Sequence, residues 1–284
     1  MSNSKNKKNI PPAKPESKTL PKLIVIAVGI VLIVTVLYFG GYIPHFHTDK
    51  TTQSNFVAPT SIPWGVFTEI SNQNFAGSGA ENIYYISWIG CPIGASVSWS
   101  LNYALSQMVN NTYVTPHYSD PDEGSLANLP GLLFNDAFSF KHNGENVLFD
   151  PVYMYNETLN GYAKNNSPIA GSDLVSAGLS VVNNSLPALP YGISNLIYEY
   201  TTVFKINNMP SDVPSAYLGT PPHVNTVLVI TGNFGTYMLN GQIYNPLNIK
   251  GITYQALESG ENNGYSSYSY IDQGASTITN IINK

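Results

Sequence analysis

Cys91 is the single cysteine among 284 residues, and it stands in Trp88-Ile89-Gly90-Cys91-Pro92-Ile93-Gly94-Ala95, where a strand-like run gives way to a helix-like one. A thiol at a helix N-terminus meets unpaired backbone N–H groups and the positive end of the helix dipole, which favour the thiolate and lower its pKa. Pro92 suits the first helical position, because its missing N–H needs no partner there. A Cys-x-x-Cys redox pair would need a second cysteine at position 94, which is Gly94. The chain therefore cannot cycle alone between a dithiol and an internal disulfide. Two chemistries stay open for Cys91. An activated monothiol would attack a partner's disulfide and be released by an outside thiol. An inert, buried cysteine would serve as a small apolar residue.

Other candidates for chemistry are sparse. His117, His142 and His223 belong to no nucleophile-base-acid pattern that spacing alone defines, and read as solvated histidines. Asp120, Asp122 and Glu123 form an acidic turn without the ligand pattern of a calcium loop. His45 and His47 supply two ligands on a polar segment, fewer than a specific metal site needs. No phosphate-cradling glycine loop or dinucleotide fingerprint occurs, so neither a cofactor nor a metal is expected.

The elements that must position Cys91 follow from periodicity. Asn82 to Ile89 is β-branched and aromatic and reads as a buried strand. Val97, Leu101, Ala104, Leu105 and Met108 recur at helical spacing up to Val109, with Trp99 and Tyr103 off that stripe. Asn143-Gly144 between two Phe-containing runs predicts a hairpin. Ile193 to Tyr200 suits either helix or strand, Thr226 to Thr231 is a strand that turns at Gly232-Asn233-Phe234-Gly235, and Asp272 to Ile282 has the spacing of a terminal helix.

Residues 23–43 form an apolar stretch without a charged residue, about the 20 residues that span a bilayer as a helix and longer than the core of a cleaved signal. Six of the twelve Lys+Arg, all lysines, precede it, which places residues 1–22 in the cytoplasm and the remainder outside. One of the seventeen Asp+Glu, Glu16, also precedes it, so the rest holds six bases against sixteen acids, a formal net charge of −10. Such a surface excludes nucleic acid as a partner. Only 10 % of the chain is charged, so the fold would lose little when carboxylates are protonated, and an acidic exterior is expected. Four Asn-x-Ser/Thr sequons, at Asn110, Asn156, Asn165 and Asn183, are candidate glycosylation sites on that side. Residues 44–62 read as a polar linker, and residues 63–284 as the exterior domain.

Strand, cysteine turn, helix and a late strand hairpin preceded by Pro221-Pro222 is the order of a thioredoxin-like α/β fold with insertions. From about Tyr84 to Leu179, Cys91-Pro92-x-x-Ala95 and Trp99-x-x-x-x-Ala104-Leu105 resemble an archaeal family of uncharacterised, membrane-anchored thioredoxin-like proteins. That family carries Cys-Pro-x-Cys-Ala, so Cys91 matches its first cysteine, Pro92 its proline, and Gly94 replaces its second cysteine. The resemblance also implies a cis-proline platform facing Cys91, with Pro221 or Pro222 in that place and Pro130 a further candidate. The expected role is non-redox binding or structural work at the cell surface, on exported or other envelope proteins. The alternative is a monothiol oxidoreductase or isomerase acting through Cys91. A third reading is an envelope subunit that self-assembles through its many Tyr, Asn and Thr residues.

Overall fold

The computed structural model describes residues 56–186, 192–259 and 266–284, all within one compact unit, Asn55–Lys284. The segment expected as a cytoplasmic tail, the apolar stretch, most of the segment expected as a linker, and His45 and His47 lie outside the described residues. Among the described residues no helix is long and apolar enough to cross a membrane. Of the segment expected as linker, the last two residues form a strand.

Ten strands are described: β1 (Ser61–Ile62), β2 (Thr68–Ser71), β3 (Ala80–Ser87), β4 (Val114–Tyr118), β5 (Pro130–Phe134), β6 (Phe138–His142), β7 (Glu145–Tyr153), β8 (Lys205–Ile206), β9 (Val227–Gly232) and β10 (Gly235–Asn240). Between and after them run α1 (Pro92–Ser106), α2 (Leu174–Ser185), α3 (Ile193–Tyr198), α4 (Tyr254–Glu258) and α5 (Ser266–Ile282). The main sheet has the order β2-β10-β9-β3-β7-β6. Strands β3 and β7 are parallel, and every other pair in that sheet is antiparallel. The chain thus runs β3, α1 and on to β7 beside it, then returns through α2 and α3 to the β9–β10 hairpin on the other side of β3.

The alternation of β3 splits the core into two layers. Ile83 and Tyr85 face α1 and α5, packing with Val97, Leu101, Ala104, Leu105, Ala275 and Ile278. Tyr84 and Ile86 face α2 and α3, with Leu174, Val182, Ile193 and Ile197. Each fully buried aliphatic chain of these layers contributes about 1.5–3 kcal/mol, so the sheet is held from both sides.

Several elements depart from their expected bounds. β3 ends at Ser87 rather than Ile89 because Gly90 turns directly under the carbonyl of Glu157, where a Cβ would lie 2.0 Å from that oxygen. Helix α1 stops at Ser106 instead of Val109, and the N–H groups of Met108 and Val109 both return to the Leu105 carbonyl. Ile193 to Tyr200 resolves as helix α3 followed by a π-turn over Glu199–Val203. The β6–β7 hairpin is as expected: Asn143 and Gly144 have φ of 50° and 90°, the left-handed pair that a two-residue hairpin turn requires.

Two minor sheets complete the unit. β4 and β5 pair over α1, where Gly131 lets the strand approach Ala95 (a Cβ there would lie 2.7 Å from it) and Trp99 donates to the Pro130 carbonyl at 3.0 Å. Trp99, off the predicted stripe, is therefore one of the contacts between α1 and the β4–β5 pair. β1 pairs in parallel with β8, and the lead-in around it is stitched to the same region: Tyr200 donates to the Pro59 carbonyl at 2.7 Å, and Asn208 exchanges hydrogen bonds with Trp64 at 2.6 and 3.0 Å.

Candidate functional site

Cys91 is the N-cap of α1, with extended φ and ψ of −64° and 117°, and Pro92 opens the helix as expected. Its Sγ takes the place a serine oxygen usually fills and accepts from the Gly94 N–H at 3.2 Å. On its other side Sγ is hydrogen-bonded to Thr226 Oγ1 at 3.0 Å, and Thr226 Oγ1 is in turn 2.9 Å from Ser87 Oγ. Tyr85 closes the floor by donating to the Gly94 carbonyl at 2.9 Å. The last residue of β3, the residue just before β9 and the first turn of α1 thus meet at the thiol.

The thiol is sealed. Cys91 is 2 % exposed, and the space beside it is about 10 Å³, room for no more than one water. Tyr85, Trp88, Tyr153, His117 and Gly131 are among its walls. Burial pushes the Cys91 thiol up from its ordinary value, against the opposing hydrogen bonds from Thr226, Gly94, Ser87 and Ile93. The helix terminus acts in the direction the sequence suggested, but desolvation of a thiolate outweighs it and the expected lowering is reversed. Gly94 is also constrained. A Cβ at that position would lie 2.3 Å from Ser87 Oγ, 3.0 Å from Tyr85 Oη and 3.1 Å from Cys91 Cβ. The place where a resolving cysteine would stand has no room for any side chain.

The prolines divide between two roles. The Thr220–Pro221 bond is cis, and it is the cis peptide bond among the described residues; Pro222 is trans. The hydrogen-bond partners of Cys91 Sγ are Thr226 and Gly94, not either of these prolines. Pro130 lies in β5 and accepts from Trp99 through its carbonyl. The Pro221-Pro222 turn is fixed by His223, whose Nδ1 is 2.8 Å from the Pro221 carbonyl and which meets Trp88 edge-on, and by Val224 N–H donating to Tyr155 Oη at 3.3 Å. His223 is buried rather than solvated, and burial pushes its pKa down. His117 pairs with Glu157, Nε2 to Oε2, at 2.9 Å.

Among the described residues Pro222 forms part of a roomy concavity, a groove of about 380 Å³ with Val175 and Leu179 of α2, Tyr198 and Thr202, and Tyr217. Tyr198 and Tyr217 remain 49 % and 47 % exposed, and no residue that lines the groove is charged. Thr202 Oγ1 donates back to the Tyr198 carbonyl at 2.6 Å and Ser176 Oγ to the Asp173 carbonyl at 2.8 Å, so both hydroxyls present lone pairs to the groove. Sequence reading passed over these residues, since the helical turn that carries Tyr198 had no decisive period. It also passed over Ser87 and Thr226, although a hydroxyl at the end of an apolar run (Ile83–Ile86 before Ser87, Val227–Ile230 after Thr226) is a signal of a polar contact there.

Asn110, Asn165 and Asn183 are exposed, whereas the Asn156 amide is tied into its own loop, accepting from Asn160 and Gly161 N–H at 3.2 Å each and donating to Asn160 Oδ1 at 2.7 Å. The acidic turn closes on itself, Asp122 N–H donating to Asp120 Oδ1 at 2.9 Å, and among the described residues no group of three His, Cys, Asp or Glu could hold a metal ion.

A protein-family model matches residues 66–284. The chain belongs to that family, described as Domain of unknown function (DUF929). The match runs from just before β2 to the last residue, so both the Cys91 turn and the groove fall inside the DUF929 region. No curated protein and no solved structure matches the chain.

Proposed function

We propose that this protein is a membrane-anchored, extracytoplasmic thioredoxin-like domain that works by binding, without redox chemistry, and that holds uncharged extended segments of exported or envelope proteins in the groove of Tyr198 and Tyr217. The fold reading is supported by the four central strands β7-β3-β9-β10, with one parallel pair, an antiparallel hairpin and helices on both faces. The location rests on the apolar residues 23–43 and the lysines before them. A polypeptide occupant suits a groove without charge, with two half-exposed aromatic rings and acceptor hydroxyls for backbone N–H groups, beside the proline turn where thioredoxin-like domains meet their peptides.

The observation that carries the non-redox reading is the thiol itself: 2 % exposed, hydrogen-bonded on two sides, raised in pKa and facing a position that cannot hold a second cysteine. Iodoacetamide labelling of the full chain tests it. Cys91 should stay unlabelled in the folded protein at neutral pH and react fully once urea is added. Rapid labelling of the folded chain, with an inflection below the ~8.5 of a free thiol, would establish the monothiol enzyme instead. Binding is read by fluorescence anisotropy against a panel of uncharged nonapeptides: Tyr198→Ala should weaken every hit without lowering Tm, and equal affinity in both proteins would refute the groove.

A further inference from the structure

We propose that Glu81 and Glu145, at the end of the sheet opposite Cys91, hold one proton between them, forming a proton-binding site that tightens the fold as the surroundings turn acid. Glu81, the second residue of β3, stands beside Val147 of β7, and Glu145 stands two residues before Val147, so the two side chains project from the same face as diagonal neighbours. Both lie against the β9–β10 turn. A Cβ on Gly232 would come 3.0 Å from Glu81 Cγ, and Asn233 Nδ2 donates to Glu145 Oε1 at 2.7 Å. Glu81 is only 7 % exposed. Its Oε2 and the Oε2 of Glu145 are both buried and lack a hydrogen-bond partner.

A buried carboxylate oxygen without a donor is costly, and two on one face repel each other. A single proton taken from solvent removes both faults: an O–H bond forms on one carboxyl and donates toward the other. Burial, then the charge of Glu145, push the Glu81 pKa up from 4.5, while His142 opposes them. The groups that face the pair from its neighbours are few. β6 brings His142, itself 2.7 Å from Asn283 Oδ1; the β9–β10 turn brings Gly232 and Asn233, which do not titrate; and the terminal Lys284 is committed to Tyr237 at 2.8 Å.

A carboxyl whose folded pKa is raised gives full stability below its unfolded value of 4.5 and loses it as pH rises through the folded value. Glu81→Gln imitates the protonated state, since its amide N–H can donate where the proton did. Tm of the full chain in detergent is followed by tryptophan fluorescence from about pH 4 to 8, and comparison with wild type cancels groups common to both proteins. The variant should melt higher than wild type at neutral pH and converge on it near pH 4. Infrared difference spectra should show a protonated-carboxyl band in the wild type above pH 4.5 that is lost in the variant. Wild-type and variant curves that stay parallel, without such a band, overturn the proposal. So does a rise of the wild-type Tm with Ca²⁺ that EDTA reverses, because a cation would then occupy the pair. If Glu81→Gln fails to fold, Glu145→Gln must show the same convergence, and the wild-type band needs no variant.

Discussion

Restoring a side chain at position 94 is the sharpest test of the sealed thiol. Gly94 is the third residue of α1, and its φ is not left-handed, so Gly94→Ala is compatible with the backbone. Helix propensity and reduced freedom of the unfolded chain would favour alanine by roughly 0.5–1 kcal/mol. Against that stands a Cβ 2.3 Å from Ser87 Oγ and 3.0 Å from Tyr85 Oη, in a site where Ser87 is fully buried and bonded to Thr226. Overpacking of this kind costs about 1–3 kcal/mol, and breaking the Ser87–Thr226 bond leaves a buried hydroxyl unpaired for about 1–3 more. The balance is a net loss of roughly 1–5 kcal/mol, and its mid-range value of about 3 kcal/mol lowers Tm by about 6–12 °C at the ~2–4 °C per kcal/mol of a domain this size. Urea unfolding of wild type, Gly94→Ala, Ser87→Ala and the double variant measures it. The double variant should recover at least half of the loss, because the colliding oxygen is gone. Gly94→Cys should suffer at least as much and give two free thiols on unfolding, with no disulfide formed between the introduced thiol and Cys91. A Gly94→Ala protein as stable as wild type would refute the reasoning, and with it the claim that the missing cysteine has no room.

Three further outcomes follow from the same geometry. Thr226→Val removes the hydroxyl shared by Cys91 and Ser87 and should cost about 1–3 kcal/mol in urea unfolding, while thiol titration should move still higher because a donor to the thiolate is lost. His223, with its pKa pushed below 6.5 by burial, contributes stability that is complete above 6.5 and declines as pH falls below it; His223→Gln should flatten that part of the pH-stability curve, and an unchanged slope would count against it. Peptide mapping of protein from its native host should find glycans only at Asn110, Asn165 and Asn183, and modification of Asn156 would show that its loop opens before transfer.

What could be read from sequence was what depends on local chemistry. The N-cap and Pro92 announced α1, Asn143-Gly144 announced the β6–β7 hairpin, and the apolar run before Gly232 announced β9, because each is set by a few adjacent residues. The thiol environment was hidden for the opposite reason: Ser87 and Thr226 are 139 residues apart, and only the pairing of β3 with β9 brings them together at Cys91. Helix α3 was ambiguous because six residues give too little period, and Tyr198 went unnoticed with it. The sign of the cysteine shift depended on burial, which spacing does not reveal.

The two-residue pairing of β1 with β8 also has a mechanical meaning. The lead-in from Pro59 to Trp64 is fastened to Tyr200, inside the π-turn that carries Thr202 into the groove, and to β8 and Asn208 just after that turn. A pull on the N-terminal side of the chain therefore loads the wall of the groove before it reaches the six-stranded sheet. The ladder is only two residues long, with Ile62 buried in the core behind it, so tension would act on the Thr202 wall of the groove while leaving the Cys91 turn and the main sheet intact.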